Sequence, residues 1–175
     1  MMHRAVLTAL GADRPGLVDD VSGFVAERGG NVEDSRMVNL HGQFAMVMLV
    51  AGGEETMARL RAEVAELAAC CQVHAEVTVA DVTRPAGRPA LPYRLRTWAM
   101  DHPGLLKSVA HLLHESSVNI ESADTRLKEA PVTGAPVFEM EMVLAVPAET
   151  PIAELRERLG RLCDELNMDV KLEAL

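Results

Sequence analysis

Residues 12–21 read ADRPGLVDDV, and residues 100–109 read MDHPGLLKSV. The two stretches are one phrase written twice. Asp13 falls on Asp101, Pro15 on Pro103, Gly16 on Gly104 and Asn31 on Asn119, all at a spacing of 88 residues. At that spacing Leu17, Val18, Val21, Phe24 and Val25 meet Leu105, Leu106, Val109, Leu112 and Leu113, apolar in both copies. The i, i+4, i+7, i+8 pattern from Leu17 marks the buried face of a helix. A repeat of this length divides the 175-residue chain into two units. Each has roughly 80 residues, near the small end of what folds around its own core.

The phrase opens a helix. Pro suits the first helical position, where its missing N–H would be unpaired anyway, so helices are expected from Pro15 to near Arg28 and from Pro103 to Ser116. Gly inside a helix costs roughly 1 kcal/mol against Ala, which asks for a reason to keep the backbone bare at Gly16. With helical dihedrals at Gly16, Gly16→Ala would leave stability unchanged or raise it by about 0.4–1 kcal/mol.

Outward from the phrase, alternation gives strands at 4–10, 32–40, 44–50 and 73–79, with a second helix over 55–69 and a turn at His41-Gly42. The second copy repeats this with strands at 93–100, 118–126, 137–146 and 169–172 and a helix over 151–166. Its hairpin loop carries six extra residues within LKEAPVTGAP, residues 127–136. The segment DVTRPAGRPALP, residues 81–92, reads as a semi-rigid spacer between a first domain at 1–80 and a second at 93–175. The order β-α-β-β-α-β, twice, predicts an α+β protein of two ferredoxin-like units. Each would be a four-stranded antiparallel sheet with two helices on one face. The other sheet face then needs cover, and this predicts an assembly larger than the lone module, with a homodimer as the expected form.

Composition narrows the function. The chain carries a net charge of −9 and is 49% hydrophobic but only 3% aromatic. Neither a phosphate-neutralising patch nor a stacking platform is expected, so direct nucleic-acid binding is disfavoured. No signal-peptide pattern and no apolar run long enough to span a membrane are seen. The three cysteines, Cys70, Cys71 and Cys163, suit a reducing compartment, and a cytoplasmic location is expected. Cys71, Met46, Met48, Met140 and Met142 read as core. His111 and His114 lie three apart on a helix, on the side away from Leu105, Val109 and Leu112, with no third ligand evident. No metal site, cofactor site or catalytic arrangement is expected, and the chain reads as no enzyme.

The Asp-x-Pro-Gly-Leu turn after the first strand, with Asn-Val or Asn-Ile opening the second, resembles the ACT domain, a family of small regulatory modules that bind amino acids. The tandem form, with LTALGADRPGLV and GGNVEDSRM, resembles the glycine cleavage system transcriptional repressors. The resemblance covers nearly the whole chain and is weaker in the second copy. It implies a ligand between paired modules, against this turn and the second strand. By resemblance the first site comprises Asp13, Arg14, Gly16, Leu17, Asn31 and Val32. The second comprises Asp101, Gly104, Leu105, Asn119 and Ile120. The chemistry fits a zwitterion. A helix N-terminus suits a carboxylate, Gly lets a ligand approach the backbone, and Asn offers both donor and acceptor. Asp13 and Asp101 either cap the helix or receive an ammonium, and Asn31 is equally a turn residue type. The implied function is binding of glycine or another small amino acid, with Leu17 and Val32 excluding larger side chains, and control of a transcription factor by protein contact. The alternative is a regulatory or structural partner of a metabolic enzyme of folate or amino-acid metabolism, with or without ligand.

Overall fold

The structure is a computed structural model and describes residues 2–80, 89–130 and 134–175. The chain forms two compact units, residues 1–84 and 85–175. In the first, β1 (His3–Ala12), α1 (Leu17–Glu27), β2 (Asn31–Leu40), β3 (Gln43–Gly52), α2 (Glu54–Cys71) and β4 (Val73–Ala80) follow in order. In the second they are β5 (Ala90–Met100), α3 (Leu105–Glu115), β6 (Asn119–Glu129), β7 (Pro136–Pro147), α4 (Ile152–Glu165) and β8 (Met168–Ala174). The sheet orders are β2-β3-β1-β4 and β6-β7-β5-β8, antiparallel throughout. This is the ferredoxin-like α+β architecture expected, twice over. Most of the spacer, residues 81–88, lies outside the described residues, as do residues 131–133 of the hairpin insertion. Ala90–Pro92, read as spacer, belong to β5 and pair with β7.

Each core is made by alternation on the strands meeting one face of each helix. In the first unit Ala5, Leu7, Ala9, Phe44, Met46, Met48 and Val50 point inward, against Leu17, Val21, Phe24 and Val25 of α1 and Met57, Leu60, Leu67 and Cys71 of α2. Leu95, Met140, Met142 and Leu144 meet Leu105, Val109, Leu112, Leu113, Leu155 and Leu159 in the second. Burying one such large side chain contributes about 1.5–3 kcal/mol, so these facing rows carry most of each unit's stability. The expected core positions Phe24, Leu112, Cys71 and the four strand methionines are all buried.

One matched apolar pair is not core. Val18 is 43% exposed and Leu106 44%. Each is one residue past a buried leucine, about 100° round the helix, and so points out of the sheet-facing stripe.

Both helices also begin later than expected. Pro15 and Gly16 form a turn, α1 starts at Leu17, and Gly16 is the N-cap residue with φ 87° and ψ −7°. Gly104 does the same before α3, with φ 99° and ψ −5°. These are left-handed dihedrals, so a side chain here is strained by roughly 1–2 kcal/mol. The condition on which Ala would be tolerated at Gly16, helical dihedrals, is therefore not met.

The outer sheet faces, away from the helices, differ sharply between the units. On the first, Val6, Leu10, Ala45, Val47 and Leu49 occupy the middle strands, with Val38 and Leu40 beside them on β2. The matched positions of the second unit are Arg94, Trp98, Glu139, Glu141, Val143, Arg126 and Lys128. Glu141 bonds Arg94 and Arg96 at 3.1 and 2.9 Å, and Lys128 bonds Glu139 at 2.6 Å.

Candidate ligand-binding site

Each turn presents backbone rather than side chain. A Cβ on Gly104 would meet nothing within 4 Å, and one on Gly16 only Arg14 Nη1 at 4.0 Å. The glycine is thus needed for its dihedrals, and the space before it is open. Neither α1 nor α3 has a side-chain cap, so Asp13 and Asp101 are not helix caps. Helix N-termini leave the first N–H groups without intrahelical partners and carry a partial positive charge. An anion at these turns would meet both.

The flanking residues divide. Leu17 and Leu105, read as ligand contacts, are 1% and 2% exposed and belong to the cores. Leu17 therefore cannot act as a steric filter. Val18 and Leu106 stand in the open beside the two turns. Their apolar character in both copies is the signal the sequence carries. Val32 is exposed on β2, and Ile120 is half-buried against the second core.

Asn31 is not beside Asp13. Asn31 pairs with Ala51, which pairs with Arg4 at the start of β1, whereas Asp13 follows its end. Nine residues of strand separate the two levels, about 30 Å. Asn119, level with Pro92 through Ala145, is equally remote from Asp101. The cause is topological. α1 runs antiparallel to β1, so its start lies at one end of the sheet and β2 begins at the other. Within one unit the predicted residues form two half-sites, a turn and a strand start, and not one pocket.

The two copies use their polar groups differently. Asn39 Nδ2 donates to Asp13 Oδ2 at 2.5 Å, Gly42 N donates to Asn39 Oδ1 at 3.1 Å, and Asp13 N donates to Gly42 O at 2.8 Å. Asp13 is thereby tied to the His41-Gly42 hairpin turn. In the second unit the residue matching Asn39 is Leu127, and among the described residues none hydrogen-bonds to the Asp101 carboxylate. The strand starts show the reverse. Both β2 and β6 carry a bulge after their second residue, at Glu33 and Glu121. Asn119 Nδ2 donates to Glu121 Oε1 at 2.8 Å. Glu33 instead takes Arg4 at 2.6 Å, which holds its carboxyl below the ordinary value, and the Asn31 amide has no hydrogen-bond partner among the described residues. Arg14 bonds Asp20 at 2.7 Å, which raises its pKa further above the ordinary value.

Three surface grooves among the described residues are lined by none of the predicted site residues. One, of about 400 Å³ on the outer face of the second sheet, is lined by Arg96, Trp98, Asp124, Arg126, Glu139 and Glu141. No local sequence motif marks it, because its residues come from three strands and meet only through their pairing. Among the described residues no group of three or more His, Cys, Asp or Glu is placed to hold a metal, and His111 is exposed, 3.5 Å from Glu115. No described helix is long and apolar enough to cross a membrane.

The β-α-β-β-α-β order coincides with that of a known module. The ACT domain profile matches residues 3–78. The first unit of the chain is an ACT domain. The ACT unit of residues 3–78 is followed by a second unit of the same topology. The glycine cleavage system transcriptional repressor of Escherichia coli is 28% identical over 169 residues, spanning 94% of this chain and 86% of that protein. An unknown protein of Galdieria sulphuraria, solved by crystallography, superposes with a TM-score of 0.82 at 26% identity, over 100% of this chain and 99% of that one. A crystal structure assigned provisionally to the glycine cleavage system transcriptional repressors superposes with a TM-score of 0.74 at 19% identity, over 100% and 98%, and shares the fold. This chain is an ACT-domain protein related to the glycine cleavage repressor.

Proposed function

We propose that this ACT protein is a non-catalytic regulator that binds a small amino-acid zwitterion, glycine being the simplest, and transmits its presence by protein contact to a transcription factor or a metabolic enzyme. The observation that carries this reading is the recurrence of the left-handed glycine turn, with open space before it, at Gly16 and Gly104. The half-sites lie about 30 Å apart within a unit, so the turn and the strand start are two separate contact points and not one pocket. The ligand carboxylate takes the N–H groups of the helix start, and an aspartate receives the ammonium. The disengaged groups are Asp101 and Asn31, and these two contribute most to binding. Val18 and Leu106 limit side-chain size. Ligand regulates only through unequal affinity for two states of the protein. The proposed assembly is a homodimer, with no direct nucleic-acid contact, working in the cytoplasm.

The engagement of Asp13 by Asn39 favours a second reading for the first turn, a structural clamp on the hairpin, in a protein that serves a metabolic enzyme as a partner without ligand. Calorimetric titration with the common amino acids decides between them. Saturable binding of one or a few small amino acids is expected. A folded protein that takes up none of them at millimolar concentration would leave the structural reading in place.

A further inference from the structure

Among the described residues, the outer face of the first sheet is an apolar patch in an acidic chain. Leu10, Val38, Leu40 and Val47 are each more than 40% exposed there, with Val6, Ala45 and Leu49 filling between them. Its rim is polar: Arg4, Glu33, Asp34 and Arg36 on one side, His74, Glu76 and Thr78 on the other. An apolar centre inside a polar rim is the anatomy of a protein interface.

We infer that this face is the dimer interface, packed against the same face of a second copy with the two-fold axis parallel to the strands. It gives the homodimer proposed above its surface, and it stands apart from ligand binding. Four strands about 4.8 Å apart, each about ten residues long, offer about 500 Å² per copy. A face-to-face pair then buries about 1,000 Å², the size at which specific interfaces begin.

Charge selects the axis. Arg36, Val47, Thr8 and Glu76 form one row across the sheet, β2 to β4, by their pairings. A two-fold axis along the strands lays β2 of one copy over β4 of the other. Arg36 then faces Glu76 at both ends of the row, Val47 faces Thr8, and Leu10 faces the small Ala45. An axis across the strands would set Arg36 on Arg36 and Glu76 on Glu76. Arg36 is free to turn, since its side chain is 82% exposed and bonded only within β2, to Asp34 and Ser35 O.

Sedimentation equilibrium of the full chain tests this. A dimer is expected at micromolar concentration. Val47→Glu installs the residue that the second unit carries at position 141, on an exposed site that leaves the core untouched. It is expected to weaken the dimer about a hundredfold or more, because the residue sits at the centre of both faces. Val38→Arg, the match of Arg126, acts in the same direction. Arg36→Glu weakens the dimer about tenfold, and Arg36→Glu with Glu76→Arg restores it. A monomeric wild-type chain, or a dimer indifferent to Val47→Glu, overturns the interface. Failure of the double reversal to rescue overturns the axis. Calorimetric titration of Val47→Glu separates the two proposals, since amino-acid binding can persist after the dimer is lost.

Discussion

Val47 and Glu141 occupy the same place in two copies of one fold. So do Val6 and Arg94, Leu10 and Trp98, Val38 and Arg126. Inside, the copies agree: Leu7 and Leu95 are each fully buried at matched positions, as are Val21 and Val109. The helix-facing side of each sheet is fixed by what must be buried for the unit to fold. The outer side carries no such demand, and there the two units diverge into an apolar patch and a lattice of ion pairs. Residues shared by both units report on folding or on the shared turn. Residues that differ report on what each unit meets.

That division can be broken at several points. The largest effect is expected in the cores. Leu7→Ala and Leu95→Ala should each lower stability by about 2–5 kcal/mol, read as a fall in the melting temperature of the altered unit. Unequal losses outside that range would show that the matched cores are not equivalent. Next come the turns. Gly16→Ala and Gly104→Ala each place a side chain at positive φ and should cost about 1–2 kcal/mol by denaturant unfolding. A stability gain at either would mean that the residue is helical after all. The smallest effect is electrostatic and belongs to the second unit. The Arg96 hydrogen bond holds the Glu141 carboxyl below its ordinary value. Its contribution is therefore present above the ordinary carboxylate range and is lost as pH falls through the lowered value. NMR titration should find Glu141 titrating below an exposed glutamate, and Arg96→Ala should return it toward the ordinary value. Because the pair is exposed, the stability change should be small.

Much of this was legible in the residues. Five matched apolar pairs and the Asp-x-Pro-Gly phrase at one spacing reveal the repeat, the order of elements and nearly all of the core. Val18 and Leu106 were misread, because two matched apolar residues look alike whether selection acts on packing or on contact. The left-handed conformation of Gly16 was hidden behind Pro15, which suits a helix start equally well. The separation of Asp13 from Asn31 could not be read from sequence distance. An eleven-residue helix returns the chain to the far end of the sheet, and only the strand register shows it. The charged groove around Trp98 was missed because its residues are scattered over 45 positions and meet only through the pairing of β5, β6 and β7.

The two kinds of half-site, turn and strand start, are tested most directly by one calorimetric series, run with the amino acid that the wild-type chain binds. Asp101→Ala and Asn31→Ala are compared with Asp13→Ala and Asn119→Ala, with melting temperatures alongside. The first two remove disengaged groups and should each weaken binding by about tenfold or more, the scale of a charge-assisted hydrogen bond, with melting nearly unchanged. Asp13→Ala should instead lower the melting temperature, by releasing the hairpin, and change affinity little. Asp101→Ala and Asn31→Ala variants that bind as the wild type does would contradict both half-sites and leave the turn as a helix start alone.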